Sequence, residues 1–177
     1  ALILEDPERA RHMLALMSDM LRYNLTPTAG TKERIKVPLK QELEIVHSYL
    51  ALCSIQFEQR LHYQQQIDSN CTELAVPKLL LQLCVENAVK HGISRLPEGG
   101  TISISASTHD HYLQLRVTNH GTLHPGDDKS SGVGLRNIRQ RLQLLYQGRA
   151  SLRLYQHLDQ VIIEILIPME SYESSTY

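Results

Sequence analysis

The sequence predicts an α+β protein, a two-layer α/β sandwich preceded by a helical arm. Three observations predict it. Up to residue 57 apolar residues recur at helical spacing. After residue 60 the period changes to two, most cleanly in "GTISISAST" and "HYLQLRVTN". Helical stretches then recur among these antiparallel-looking strands, the pattern of helices packed on one side of a sheet.

The elements follow in order. "EDPERARHMLALMSDMLRYNL" reads as a helix that Asp6 can cap, with Pro7 suited to the first helical position. Ala10, Met13, Leu14, Met17, Met20 and Leu21 share one face, expected to be core or a helix-pairing seam. "TPTAGTKERIKVP" is polar, with Gly and Pro, and reads as a linker. In the second helix Leu39, Leu43, Val46, Leu50, Cys53 and Phe57 form a narrow apolar seam. "LHYQQQID" is a strand candidate, and Pro77 is expected to open the next helix. Ile102, Ile104 and Ala106, then Leu113, Leu115 and Val117, mark two strands joined as a hairpin around His109–His111. Residues 120–133 read as a loop. "GLRNIRQRLQLLY" is a helix with Leu135, Ile138, Leu142 and Leu145 inward. "ASLRLYQ" and "QVIIEILIP" are two further strands, the last long enough to be central.

Composition narrows the function classes. Of 177 residues 42% are hydrophobic and 21% charged, which is globular material. The formal net charge of -1 offers no basic surface for direct nucleic-acid binding. Three widely spaced cysteines form neither a disulfide framework nor a zinc pattern, which fits a reducing compartment. No run approaches the ~18 apolar residues of a membrane span, and no signal peptide is visible. The opening "ALILEDPERA" reads as the continuation of something already helical. The expectation is a segment of a longer protein, with any membrane part upstream.

Chemistry concentrates in "CVENAVKHG", polar residues set into the apolar run "VPKLLLQLCVENAVKHGIS". On a helix over 80–92, Leu81, Val85, Ala88 and Val89 point into a core. Asn87, Lys90 and His91 point roughly the other way within one turn, and Glu86 lies at the border. An amide oxygen is a hard, neutral ligand for a Mg²⁺ that keeps its waters and leans on substrate phosphates. A lysine one turn on supplies a point charge for those phosphates. A histidine there can donate to phosphate or pack on a ribose. On this segment alone a solvated helix face without chemistry is an equal alternative. Two more segments bear on the choice. "RVTNHG" places Asn119 at the end of an apolar strand, where a buried amide can read a purine edge. "SGVGLRN" opens a helix with G-x-G, which allows close backbone approach and favours an anion.

In this order the motifs resemble the ATP-binding domain of the GHKL superfamily (the Bergerat, or HATPase, fold), specifically that of LytS-type sensor histidine kinases. "LLLQLCVENAVKHG" resembles that family's N box, "VTNHG" its first glycine box and "GVGLRNIRQRLQLLY" its second. "DPERARHMLALMSDMLRYNL" and "VPLKQELEIVHSYLALCSIQFEQRL" resemble the helices before its catalytic domain. The resemblance implies ATP and Mg²⁺ as ligands. Asn87 would hold the metal against the phosphates, and Lys90 and His91 would contact phosphate or ribose. Asn119 would bind the adenine amino group. Gly121, Gly132 and Gly134 would shape the pocket and its lid, with Leu135 also in the nucleotide-binding set. Glu86 and Lys90 would be catalytic, Glu86 by orienting or deprotonating an acceptor histidine. The implied organisation is a remnant of the dimerisation and phosphoacceptor helices over 1–28, a linker over 29–38, the catalytic domain with its leading helix over 39–170, and a frayed tail over 171–177.

Departures from the family pattern shape the expected activity. Asn119 stands where the family often has aspartate, so adenine is held without charge and more weakly. The usual "DNG" is "NHG", and the next glycine is displaced to Gly126. None of the nine histidines lies in the family's H-P-H-F-L-F-N acceptor context, and His12 is expected to be a surface histidine. The expectation is a two-component histidine kinase unit that passes the γ-phosphoryl of ATP to a histidine upstream of this chain, then to a response regulator. By itself the chain is not expected to autophosphorylate. A homodimer is implied for the full-length protein, with this unit a cytoplasmic domain of a membrane-anchored sensor. A hydrolysing ATPase of the gyrase type is disfavoured, because Leu83 stands where that branch places its water-activating glutamate. A nucleotide-gated pseudokinase is the alternative from another class.

Overall fold

The structure, a computed structural model, describes residues 6–25, 35–57, 60–123 and 132–170. Its elements are α1 (Pro7–Leu25), β1 (Lys36–Pro38), α2 (Leu39–Phe57), β2 (Leu61–Ile67), β3 (Ala75–Pro77), α3 (Leu80–His91), β4 (Gly100–His109), β5 (Tyr112–His120), α4 (Gly132–Tyr146), β6 (Ser151–His157) and β7 (Gln160–Pro168). Five strands form one sheet in the order β2-β4-β5-β7-β6. Helices α3 and α4 cover one face of it, so the two-layer α/β sandwich expected from the alternating periods is present. All pairings in this sheet are antiparallel except β2 with β4. A parallel pair needs a crossover, and α3 supplies it. No described helix is long and apolar enough to cross a membrane.

The core lies where the predicted faces meet. Ile102, Ile104, Ala106, Leu113, Leu115 and Val117 are all at most 2% exposed. They pack against Leu80, Leu81, Cys84 and Val85 of α3 and Leu135, Ile138 and Leu142 of α4. Burying each large aliphatic side chain contributes about 1.5–3 kcal/mol. The β4–β5 hairpin turns on Asp110 and His111, both at positive φ (45° and 66°), the geometry of a two-residue primed turn. Strand β7 is interior as expected, between β5 and β6.

Several elements differ from the sequence expectation, each for a local reason. Asp6 does cap α1, its Oδ1 accepting the Arg9 N–H at 3.0 Å. The methionine face beyond it is only partly covered. Ala10 is buried and Met13 and Met20 are half-buried, whereas Leu14, Met17 and Leu21 are exposed. The side chain that anchors α1 is instead Tyr23, buried at 8% exposure. The end of the expected linker is ordered, because Lys36–Pro38 pair with Ala75–Pro77 as a short antiparallel ribbon. Residues 26–34 lie outside the described residues, as do 124–131 of the expected loop, Gly126 among them, and the tail from 171. Pro77 does not open α3. It closes β3, opposite Lys36, and the helix starts three residues later, after Leu79 turns the chain with φ 66°.

That start has no cap of its own, since Leu79 carries no acceptor. The cap comes from α2. Glu42 is completely buried, and its Oε1 accepts the Leu79 N–H at 2.6 Å. Its Oε2 accepts the N–H groups of Leu81 at 2.9 Å and Gln82 at 3.5 Å. The Tyr23 hydroxyl donates to the same carboxylate. Burial holds the Glu42 carboxyl above the ordinary carboxylate range, while these four donors and the positive end of the α3 dipole favour the charged form. Glu42→Gln turns one acceptor into a donor that faces an N–H, leaving a buried group unmet. Its expected cost is about 2–4 kcal/mol, read from the urea midpoint. Glu44→Gln, exposed on the same helix, should stay within about 0.5 kcal/mol.

Candidate functional site

Helix α3 sorts its residues by the 3.6 period. Leu80, Leu81, Cys84, Val85, Ala88 and Val89 are buried against the sheet and α2. The polar residues fall into two i, i+4 pairs on different faces. Asn87 and His91 line a small cavity together with Gly92, Asn119, Thr122 and Leu123. Glu86 and Lys90 lie outside that cavity. Asn87 and His91 thus share a cavity that Lys90 does not line.

Asn119 is the polar end of an apolar face. It continues the series Leu113, Leu115, Val117 on β5, pairs in register with Ile102 and Val161, and is 5% exposed. Its Nδ2 donates to the His120 carbonyl at 2.8 Å, which leaves Oδ1 as the acceptor. The end of α3 comes this close only because residue 92 is glycine. A Cβ there would lie 2.2 Å from Asn119 Nδ2 and 2.6 Å from the Ala88 carbonyl. Gly121, at φ 143°, turns the chain away from β5, and its N–H donates to the Asp159 carbonyl at 2.9 Å.

The two glycines of G-x-G fall inside the first turn of α4 rather than before it. Around Gly134 no described atom lies within 4 Å of where a Cβ would stand, so its backbone borders open space. The Leu135 side chain is 1% exposed and belongs to the core; only its backbone can face a ligand. Gly132 begins the helix.

The other polar face of α3 looks toward α1 and α2. Glu86 is half-buried, and its Oε1 accepts from Gln82 Nε2 at 2.7 Å. Burial pushes the nearby Tyr49 hydroxyl up; Cys53 and the Glu86 charge add to the shift. Lys90 is exposed and lines an apolar groove of about 800 Å³ with Met13, Met17, Met20, Cys53 and Val89. His12 is exposed on α1, as expected. Leu83 is half-buried and packs against the core.

The sequence reading did not find Gly92, Gln82, Tyr23 or Glu42. Gly92 had a signal, a glycine directly after the last helical residue. Glu42 had one too, a charge beside the apolar α2 seam at positions 39, 43 and 46. The pairing of Gln82 with Glu86 follows from i, i+4 spacing alone.

Gly92→Ala tests the close approach of α3 and β5. The new methyl must displace Asn119 or the last turn of α3, at an expected cost of about 1–3 kcal/mol, measured by thermal melting. The side-chain amide resonances of Asn119 should shift in the same variant.

Comparison with known proteins bears on the family and the fold. The histidine kinase family profile matches residues 1–61. The sensor protein LytS of Staphylococcus epidermidis is 27% identical over 183 residues, covering 97% of this chain and 30% of LytS. The sensor histidine kinase BtsS of Escherichia coli K12 is 31% identical over 143 residues, covering 81% of this chain and 25% of BtsS. The chain thus spans about a third or less of these relatives' length. Among solved structures, the catalytic domain of histidine kinase ThkA superposes with TM-score 0.60 at 18% identity, over 75% of this chain and 93% of that domain. ThkA in complex with the response regulator TrrA gives 0.56 at 15%, over 96% and 50%. Full-length ShkA in complex with AMPPNP gives 0.57 at 16%, over 93% and 37%. With the N-box helix, the two glycine boxes and the leading helices, these matches make the chain a member of the LytS-type sensor histidine kinases, with the fold of their GHKL catalytic domain and part of the helical region before it.

Proposed function

We propose that this chain is the ATP- and Mg²⁺-binding catalytic unit of a two-component sensor. It directs the γ-phosphoryl of ATP to a histidine outside the chain, from which it passes to a response regulator. The observation that carries the reading is the convergence of Asn87 and His91 of α3 with Asn119 of β5 on one cavity. Asn87, suited to be a hard amide ligand, and Asn119, suited to read a base, are 32 positions apart in sequence and line the same cavity, which supports this reading. In support, full-length ShkA, which shares the fold, is solved with AMPPNP, and ThkA with a response regulator.

The residues fit the ligands in kind. No group of three His, Cys, Asp or Glu side chains among the described residues is arranged to hold a metal. A Mg²⁺ here is one held by Asn87, its own waters and the phosphates, the mode that suits this ion. So held, the metal would supply neutralisation of charge on the phosphates. Asn119 Oδ1 accepts from the adenine amino group. The open backbone at Gly134, at the N-terminus of α4, lies ready for phosphate oxygens. As described, the cavity between Asn87 and Asn119 has about 20 Å³ of free space, the room of one water, so seating a base requires Thr122 and Leu123 to move aside.

The two faces of α3 support a division of the remaining roles. Asn87 and His91 serve the nucleotide. Glu86 and Lys90, on the face toward α1 and α2, serve the incoming imidazole. The bond from ADP oxygen to phosphorus breaks as the bond from imidazole nitrogen to phosphorus forms, and Glu86 takes or orients the imidazole proton. Lys90 offsets charge at the transferring group.

Calorimetric titration with AMPPNP should show binding that Mg²⁺ strengthens. Asn87→Ala should weaken the Mg²⁺-dependent binding by about tenfold or more, on the order of 1.4 kcal/mol. Absence of binding by the folded unmodified chain would overturn the nucleotide reading. Incubated with γ-labelled ATP, the chain alone should incorporate no label; label on His12 would contradict the assignment of the acceptor to another segment.

A further inference from the structure

Two buried side chains, Tyr23 and Glu42, have no part in the site above, yet they join the helical arm to it. We propose that the Tyr23–Glu42 pair is a positioning latch: α1, through Tyr23, holds Glu42 in place, and Glu42 sets the start of α3 and so the placement of Asn87 and Glu86. The proposal rests on the nucleotide reading for its consequence but not for its geometry.

The contacts run without a gap. The Tyr23 hydroxyl donates to Glu42 Oε1, the oxygen that takes the Leu79 N–H at 2.6 Å. The other oxygen takes the N–H groups of Leu81 and Gln82. The Gln82 side chain reaches one turn along to Glu86, its Nε2 donating at 2.7 Å. Asn87 follows Glu86 on the same rigid helix, about 7.5 Å along the axis from Gln82. A second branch reaches α4. The Lys78 ammonium lies 4.6 Å from the Tyr23 ring centroid, and the Lys78 carbonyl accepts from Arg141 Nη2 at 2.6 Å. Arg141 is on the helix whose first turn contains Gly134. Tyr23 is thereby linked through Glu42 to the start of α3 and through Lys78 to the middle of α4.

A pair serving stability alone would not need to be shared in this way. An ordinary cap comes from the residue at the helix start. Here α3 borrows its cap from α2, and the acid that provides it is completed by a hydroxyl from α1. Displacing α1 removes one donor from a fully buried carboxylate, loosening its hold on the N–H groups of α3 at the same moment. A shift of the arm is thereby converted into a change at the nucleotide site.

Tyr23→Phe tests this, because it deletes one hydroxyl and keeps the ring beneath Lys78. The control is Tyr63→Phe, which deletes a hydroxyl 2.9 Å from His47 Nε2 and links α2 to β2 without touching α3. Both variants and the unmodified chain are titrated with AMPPNP and Mg²⁺, and amide hydrogen exchange is followed in the nucleotide-free proteins. Tyr23→Phe should weaken AMPPNP about fivefold or more and speed exchange at Leu81 and Gln82 relative to β5 and β7. Tyr63→Phe should do neither. Unchanged affinity with only a lower melting temperature overturns the latch, as does an equal loss in both variants. If the unmodified chain does not bind AMPPNP, the nucleotide reading fails by itself, and exchange decides the latch: α3 amides unchanged in Tyr23→Phe overturn it.

Discussion

Helix α3 must begin three residues after a strand that ends in proline, following a residue with positive φ and no capping side chain. Its first N–H groups are buried, and a buried donor left unmet costs about 1–3 kcal/mol. The chain meets this constraint from a distance with the carboxylate of Glu42, 37 residues before Leu79. The rest of the arrangement follows. Because α2 carries the cap, α2 packs on α3. Because Tyr23 completes the carboxylate, the arm is fixed to both. The direction of α3 then decides which of its polar residues meet the end of β5 and which meet the groove beside α1.

On the proposed reading, the division of α3 into two faces separates the nucleotide from the acceptor. Phosphoryl transfer needs little covalent participation from the protein and much positioning, so separating donor and acceptor sides is an efficient use of one helix. Asn87 and His91, one turn apart, look toward Asn119; Glu86 and Lys90, also one turn apart, look toward the methionine-lined groove. Gly92 ends the helix without a side chain, and that absence lets the Asn119 side chain approach.

Much of the fold was legible because periodicity is a strong local signal. The alternation of Ile102, Ile104 and Ala106 and of Leu113, Leu115 and Val117 gave strands and the buried face directly. Asn119 was visible as the one polar residue continuing that alternation. On α3 the spacing placed Asn87, Lys90 and His91 within one turn; Asn87 and His91 line the cavity beside Asn119, and Lys90 lines the groove with Met13 and Met17. Pro77 was misplaced because proline suits both a strand end and a first helical turn, and the choice was made by β1, a pairing partner 41 residues away. Glu42 and Tyr23 were missed for a related reason. A buried acid declares itself only through its partners, and those partners come from α1 and from the start of α3, both distant in sequence.

The most direct test of the account is to follow the side-chain amide resonances of Asn87 and Asn119 while AMPPNP is added, first without and then with Mg²⁺. The account predicts that Asn119 responds to the nucleotide in both cases and Asn87 responds further when the metal is present. Perturbations confined to the groove around Met13 and Met17, with both amides unmoved, would contradict it.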